Sequence, residues 1–456
     1  MPQLTRRSLL AGAAAQSLAA QTTVSDVQAH LQRELQKSRP DYICYVPGHW
    51  DGSTHDGLNE HFLVFDGPDG SMMSIWTQSD IGSGLPNTGR KNRIMFSRSN
   101  DEGVTWTRPI RIVGPQTRTD PEFMSSWAFP MVSRRGRIYV VYNQNIGNKG
   151  WIEMHTGKMA GIYSDDNGKT WSKGQFIEMP RSPYDDPEGK IPAEWIVWQI
   201  PMRDLKGGFF VGYTHWFNAA RCRMKKVEAW TQIESAVEFV RFTNIDAQPE
   251  PRDLHVTYSG WGEKALRAPY YRDPLMTVAQ EPSIVRLPDQ RLFCVMRSNS
   301  GYIWYSVSRD DGENWISPRP LLRKDFGEPI LQPVSCSPIY RLADGRYVLL
   351  HHDNRGAYTE KPEGTSGPRR PAFIALAEFR PNADQPLWFS ASKQLMDNGD
   401  VGVNGDPNSK QKNIGVYTSF TTRKGNNVLW HPERKFFLLG KKITPEFLAG
   451  LTVPSK

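Results

Sequence analysis

Ser99-Asn-Asp101-Glu-Gly103-Val-Thr105-Trp106, Ser164-Asp-Asp166-Asn-Gly168-Lys-Thr170-Trp171 and Ser308-Arg-Asp310-Asp-Gly312-Glu-Asn314-Trp315 are three copies of one pattern, S-x-D-x-G-x-[T/N]-W. Each copy follows a short apolar run: Ile94 to Phe96, Gly161 to Tyr163 and Tyr302 to Tyr305. The residue types describe a turn. An Asp carboxylate accepts from N–H groups of its own loop. Gly supplies positive φ. Trp leaves the turn with a large ring to bury against a neighbouring sheet. These aspartates are therefore expected to clamp turns, with no part in chemistry, and the three tryptophans to be largely buried between sheets.

The spacing gives the architecture. Ser99 to Ser164 is 65 residues, and Ser164 to Ser308 is 144, close to twice 72. A unit without a box belongs near residue 240, where Val237 to Thr243 offers a strand and a turn. One step beyond the third box, Ala375 to Trp388 reads as a decayed copy that keeps its Trp, and Tyr417 to Lys441 supplies a last set of strands. Runs such as Phe62–Phe65, Ser71–Trp76, Ile138–Tyr142, Phe209–Tyr213, Leu292–Met296 and Tyr347–His351, separated by Pro, Gly, Asp and Asn, read as strands throughout. About six units of roughly 65–75 residues, four strands each, predict an all-β, six-bladed propeller over 42–456. The 38 Gly and 34 Pro argue against a helix-rich chain. One short helix is expected before the propeller, over 23–38 within a 21–41 segment, because Val24, Val27, Leu31 and Leu35 share a face.

Thr5-Arg6-Arg7-Ser8-Leu9-Leu10, a short apolar stretch and Ser17-Leu18-Ala19 read as a twin-arginine export signal over 1–20, with the mature chain starting near Ala20 or Gln21. A periplasmic or extracellular protein is expected, without membrane insertion after signal cleavage, because no later run reaches the ~18 apolar residues a span needs. Cys44, Cys222, Cys294 and Cys336 lack any CxxC pattern and are expected as free thiols, with no metal site. The formal charge of +8 is dispersed, which does not favour nucleic acid and suits an acidic glycan.

The boxes resemble those of the sialidase (neuraminidase) superfamily, whose members are six-bladed propellers. Three further segments resemble its active-site strands. Gln280-Glu281-Pro282-Ser283, followed by Asp289 and Arg297-Ser298-Asn299, is similar to the segment with a glutamate and the second of three arginines. Pro338 to Arg346, continuing to Arg369-Arg370-Pro371, resembles the segment with the third arginine, for which register selects Arg369. Tyr417-Thr418-Ser419-Phe420 resembles the strand opening on the nucleophilic tyrosine. The resemblance implies Tyr417 as nucleophile, Glu281 as its base, and Arg297 with Arg369 holding the carboxylate of an acidic sugar. A tyrosine has an ordinary pKa near 10 and needs such a base. Two positions depart from the family. Asn59-Glu60-His61-Phe62 stands where the first arginine is usual, so that His61 or Glu60 takes its place, and His61 becomes a third candidate for the chemistry. Arg90-Lys91-Asn92-Arg93-Ile94 holds no acid/base carboxylate, and the nearest upstream is Asp80. The expected function is a sialidase-like exo-glycosidase, a monomer needing no cofactor. Alternatives are a polysaccharide lyase or His-dependent hydrolase on the same scaffold, and a non-catalytic glycan- or protein-binding propeller. Glu194–Gln199 and Tyr213–Trp216 read equally as a sugar platform or as core.

Replacing Arg6 and Arg7 with Lys should leave uncleaved precursor in the cytoplasm, as fractionation and immunoblotting would show. Export of the double variant at the parent's level would exclude the twin-arginine route.

Overall fold

The computed structural model describes residues 24–80, 89–224, 227, 232–270, 273–352, 369–405 and 412–455. The expected export signal lies outside them. Six antiparallel sheets form the blades of a propeller. Blade 1 comprises Leu58–Asp66, Met72–Ser79, Arg93–Ser99 and Ile110–Val113, innermost strand first. Blade 2 comprises Ser125–Val132, Ile138–Gln144, Lys158–Ser164 and Gln175–Phe176. Blade 3 is Glu194–Ile196, Phe209–Trp216, Ser235–Phe242 and Val256–Ser259, and blade 4 is Gln280–Arg286, Leu292–Arg297, Trp304–Ser308 and Arg319–Pro320. Blade 5 runs Ile339–Arg341, Tyr347–His351, Ala372–Phe379 and Leu387–Phe389. Blade 6 takes Ser419–Arg423, Asn426–Glu433 and Phe437–Lys442 from the end of the chain, and its outermost strand, Tyr42–Tyr45, from the beginning. The N-terminal helix spans Val24–Leu35, with a further tight turn to Ser38.

All three boxes lie at the same place, the turn between the third and fourth strands of blades 1, 2 and 4. The box-less third strand expected near residue 240 is Ser235–Phe242, and Trp388 of the decayed copy lies on the fourth strand of blade 5. In the second box, Asp166 accepts from Thr170 N at 2.9 Å and Thr170 Oγ1 at 2.5 Å, and Ser164 Oγ donates to it at 2.8 Å. Those donors, the Thr170 hydroxyl foremost, hold the carboxyl at about 2. Trp171 Nε1 donates to Gly168 O at 3.1 Å, and the other two boxes repeat this geometry.

The tryptophans correct one expectation: Trp106, Trp171 and Trp315 are half-buried, not largely buried. The indole N–H must reach the box glycine's carbonyl, which keeps one edge of the ring at the turn. The other edge locks the blades together. Trp106 meets Trp430 of blade 6 at 5.6 Å, Trp171 meets Phe96 of blade 1 at 5.4 Å, and Trp315 stacks on Phe239 of blade 3 at 4.3 Å. The box glycines share this seam. A Cβ on Gly168 (φ 81°) would overlap the Phe96 ring. The four cysteines are free, three of them buried, and no helix among the described residues is long and apolar enough to cross a membrane.

Gly168→Ala should therefore cost about 2–4 kcal/mol, combining left-handed strain with overpacking. Gly70→Ala has similar φ (79°) but open space around it, and should cost about 1 kcal/mol. Equal losses in urea melts would show that the seam contributes nothing.

Candidate active site

Three innermost strands carry the same irregularity. Between Glu60 and Leu63, between Ser126 and Phe129, and between Gln280 and Ser283, two residues oppose one on the second strand. The first residue of each bulge is left-handed although none is glycine: His61 at φ 60°, Trp127 at 57° and Glu281 at 50°. A bulge re-aims a side chain, and a left-handed non-glycine residue costs on the order of 1–3 kcal/mol. The preceding blade secures two of them. Thr77 Oγ1 accepts from Trp127 N at 3.0 Å, and Thr214 Oγ1 from Glu281 N at 2.6 Å. Trp198 Nε1 donates to Pro282 O at 2.7 Å, fixing the second bulge residue after Glu281.

Tyr417 precedes the innermost strand of blade 6 and meets these residues across the ring. Its hydroxyl donates to Glu281 Oε1 at 3.0 Å and accepts from Arg297 Nη1 at 3.3 Å. Arg297 Nη1 lies 2.7 Å from Glu281 Oε2. Cross-strand pairing of Arg297 with Gln280 puts both on one face, so Arg297 Nε donates to Gln280 Oε1 at 3.0 Å; Nη2 shares the same oxygen. Ser235 Oγ accepts from Gln280 Nε2 at 2.9 Å. Burial, reinforced by the Glu281 charge, pushes the Tyr417 hydroxyl far above its ordinary range, against the opposing fields of Arg297 and Arg369. The resting group is a protonated tyrosine hydrogen-bonded to Glu281.

Arg369 is buried, with Nη2 donating to Val334 O at 2.7 Å, and its charge acts on Tyr417. Its neighbour Arg370 is engaged elsewhere, in a forked pair with Asp397 at 2.9 and 2.7 Å. His61 is fully buried, tilted against Trp127 at 5.3 Å, and burial brings its imidazole down to about 3, so it is neutral. Trp127 and Trp198 each lie 6.1 Å from the Tyr417 ring. The five sequence candidates thus fall in one neighbourhood around Tyr417. Asp80 does not join it; it is paired with Arg118 and lies 3.7 Å from His55. Of the two aromatic segments, Trp198 borders the tyrosine. Trp195 is core, its Nε1 donating to Gly157 O at 3.1 Å. His215 is buried away from the axis, its Nδ1 2.9 Å from Glu238 and its Nε2 2.9 Å from Asp185.

Sequence reasoning missed Lys435, Arg90, Trp127 and His155. Lys435 Nζ lies 5.1 Å from the Tyr417 ring centre and 2.5 Å from Glu60 Oε2, while Arg90 lies 3.5 Å from Glu60 Oε1. Burial opposes ionisation of Glu60, but Lys435 and Arg90 outweigh it and hold the carboxyl at about 2. His155 packs edge-on against Trp127 at 5.4 Å and stacks on Trp216 at 4.3 Å, with burial lowering it to about 3. Trp127 was within reach of the sequence, since His61 precedes Ser99 by 38 residues and Trp127 precedes Ser164 by 37. Lys435 sits in a hairpin turn with no motif. No group of three or more metal-ligating side chains occurs among the described residues. A cavity of about 480 Å³ lies off the axis, lined by blade 2's outer edge and the 178–193 loop; Tyr417, Glu281 and Arg297 do not line it.

A six-bladed propeller with boxed third-to-fourth-strand turns and a Tyr–Glu–Arg cluster on the axis defines the class of sialidase-fold propellers. The chain belongs to the BNR repeat-like domain family, whose profile matches residues 82–404. No curated protein sequence matches it significantly. Among solved structures, a Hadza microbial sialidase is 15% identical, with 88% of this chain and 68% of that one covered, at a TM-score of 0.56. The intramolecular trans-sialidase from Ruminococcus gnavus, in complex with oseltamivir carboxylate, is 13% identical over 92% of this chain and 100% of its own, at 0.56. A Dyadobacter fermentans protein of unknown function is 12% identical over 88% and 96%, at 0.54. At these identities the likeness is one of fold.

The His215 network makes stability depend on pH. Despite burial, Glu238 and Asp185 raise the imidazole from 6.5 to about 10. A folded pKa above the unfolded one contributes its full stability below about pH 6.5 and loses it as pH rises through about 10. Urea melts from pH 6 to 10.5 should show this decline in the parent and a flatter profile in His215→Asn. Parallel profiles would mean that His215 carries no such linkage.

Proposed function

We propose that this protein is an exported glycan-active enzyme of sialidase type, an exo-glycosidase acting on an anionic sugar. The observation that carries the reading is the 3.0 Å contact of the Tyr417 hydroxyl with Glu281, inside a buried site that also holds Arg297. Tyr417 would attack the anomeric carbon as its proton passes to Glu281 and the glycosidic C–O bond breaks, the leaving oxygen taking a proton from water. A second water would then cleave the tyrosyl–sugar bond, with the Glu281 proton returning to Tyr417. A neutral nucleophile suits a substrate whose carboxylate repels an anionic one. Arg297 would stabilise the phenolate as it forms, and with Arg369 would supply the positive potential that favours an acidic ring. Two solved neighbours are intramolecular trans-sialidases, one with oseltamivir carboxylate and one with 2,7-anhydro-Neu5Ac, which supports an acidic sugar as the ligand class. Twin-arginine export would place the activity in the periplasm or outside the cell.

A second reading rests on His61. A neutral imidazole stands where the family has its first arginine, and no carboxylate occurs in Arg90–Ile94. A lyase acting on a uronide needs a base near the α-carbon of the carboxylate; His61 is the unprotonated candidate there, and burial, which lowers it to about 3, makes it a weak base. A screen over sialosides, uronides and acidic polysaccharides separates the two by product. Tyr417→Phe should abolish glycoside cleavage, and Glu281→Gln should lower kcat by about 10²–10⁴-fold. Full turnover by Tyr417→Phe together with loss in His61→Asn would transfer the chemistry to His61.

A further inference from the structure

The cations nearest Tyr417 differ in their freedom to meet a ligand. Arg297 is committed to Glu281, Tyr417 and Gln280, and its side chain is 2% exposed. The neutral His61 cannot neutralise an anion, and Arg369 is buried with Nη2 engaged by Val334 O. The Lys435 side chain is 30% exposed, and its ammonium has three N–H donors, one of them directed to Glu60. Glu60 is shared with Arg90, so these three groups carry one net positive charge beside the tyrosine.

The backbone places Lys435 there by unusual means. Arg434 and Lys435 form a turn with both residues left-handed, at φ 53° and 54°. Lys435 O accepts from Asn59 N at 2.7 Å, and Phe436 O from Asn59 Nδ2 at 2.9 Å, tying the turn to blade 1. Arg434 points the other way and is fully buried. It donates to Glu433 at 2.7 and 2.8 Å, to the Glu34 carboxylate at 2.7 Å and to the Glu34 carbonyl at 2.7 Å. Glu34 belongs to the N-terminal helix, whose Val27, Leu31 and Leu35 pack in one cluster with Phe436, Phe437 and Leu439. The helix packs on blade 6 and braces the turn that presents Lys435.

We infer that Lys435 is the specificity-determining cation of this site, binding the anionic group of the sugar beside Tyr417, and that the N-terminal helix positions it through Arg434. The inference rests on the reading of an acidic-sugar enzyme and adds a residue and a positioning device to it.

Dissociation constants of sialic acid, glucuronic acid and uncharged glucose, measured by calorimetry or NMR on the full chain, test it. The parent should bind at least one acid more tightly than glucose, and high salt should reduce that preference. Lys435→Met should weaken acid binding by about 10- to 100-fold, the value of a charged hydrogen bond, and leave glucose unchanged. Lys435→Arg should recover most of it. Glu34→Gln should weaken acid binding several-fold with Lys435 still present, a change a purely structural helix contact would not direct at the acids alone. If Lys435→Met fails to fold because Glu60 loses a partner, Lys435→Gln keeps a neutral donor for Glu60 while removing the same charge, and gives the same reading. Acid binding at the parent's strength in a folded variant lacking Lys435 overturns the inference, even while Tyr417→Phe still abolishes turnover. Equal loss for glucose and the acids overturns it too. A parent that prefers neither acid removes the inference together with the reading beneath it.

Discussion

The ring must close, and everything at its centre depends on how it does so. The chain's last three strands make an incomplete sheet, and the strand that completes it, Tyr42–Tyr45, pairs with Phe437–Lys442 from the opposite end of the sequence. That pairing sets the last blade against the first. Ser419 Oγ then accepts from Val64 N at 2.7 Å and donates to Phe62 O at 3.1 Å, and Tyr417 comes to the axis from a position 136 residues beyond Glu281. Loop-closure entropy grows only slowly with chain length, so contacts between the ends are affordable once a continuous apolar seam joins successive blades.

Within that ring, the site is built by local distortion of otherwise regular strands. Alternation would send Glu60 and His61 to opposite faces of an ideal inner strand. The bulges change that arrangement, and the same device at His61, Trp127 and Glu281 turns three different side chains toward one axis. The strain is tolerable because neighbouring blades over-determine the conformation, through Thr77, Thr214 and the Trp198 indole. Blade packing and site geometry are therefore one problem: a shift between blades 3 and 4 would release Glu281 from Thr214.

In the buried part of the site Glu281 offsets Arg297 while Arg369 adds its field at Tyr417, and a further positive charge is left over at the rim. Glu281 neutralises Arg297 where neither side chain is more than 3% exposed, since an unpaired buried charge costs several kcal/mol. Glu60 serves both Lys435 and Arg90, which leaves the more exposed edge positive. The interior can thus hold a protonated tyrosine against a carboxyl group, while the surplus charge at the rim remains accessible to solvent and ligand.

By itself the sequence determined the repeat. Three boxes at 65 and 144 residues specify the repeat and place three of its turns, because an Asp clamp, a positive-φ Gly and a Trp are local requirements of one loop, and the box-less segments between and after them complete the count of blades. It also pointed to Tyr417, Glu281, Arg297, Arg369 and His61, through segments resembling a known family. What it did not contain was the depth of the box tryptophans, since the indole N–H binds its own turn and the ring meets a blade from elsewhere in the chain. Nor did it contain Lys435, whose position follows from a hairpin held by Asn59 on one side and by Glu34, 400 residues away, through Arg434 on the other. Turn chemistry is written in adjacent residues and can be read there. The site's electrostatics arise where six blades meet, and only closing the ring brings those charges within a few ångströms of one another.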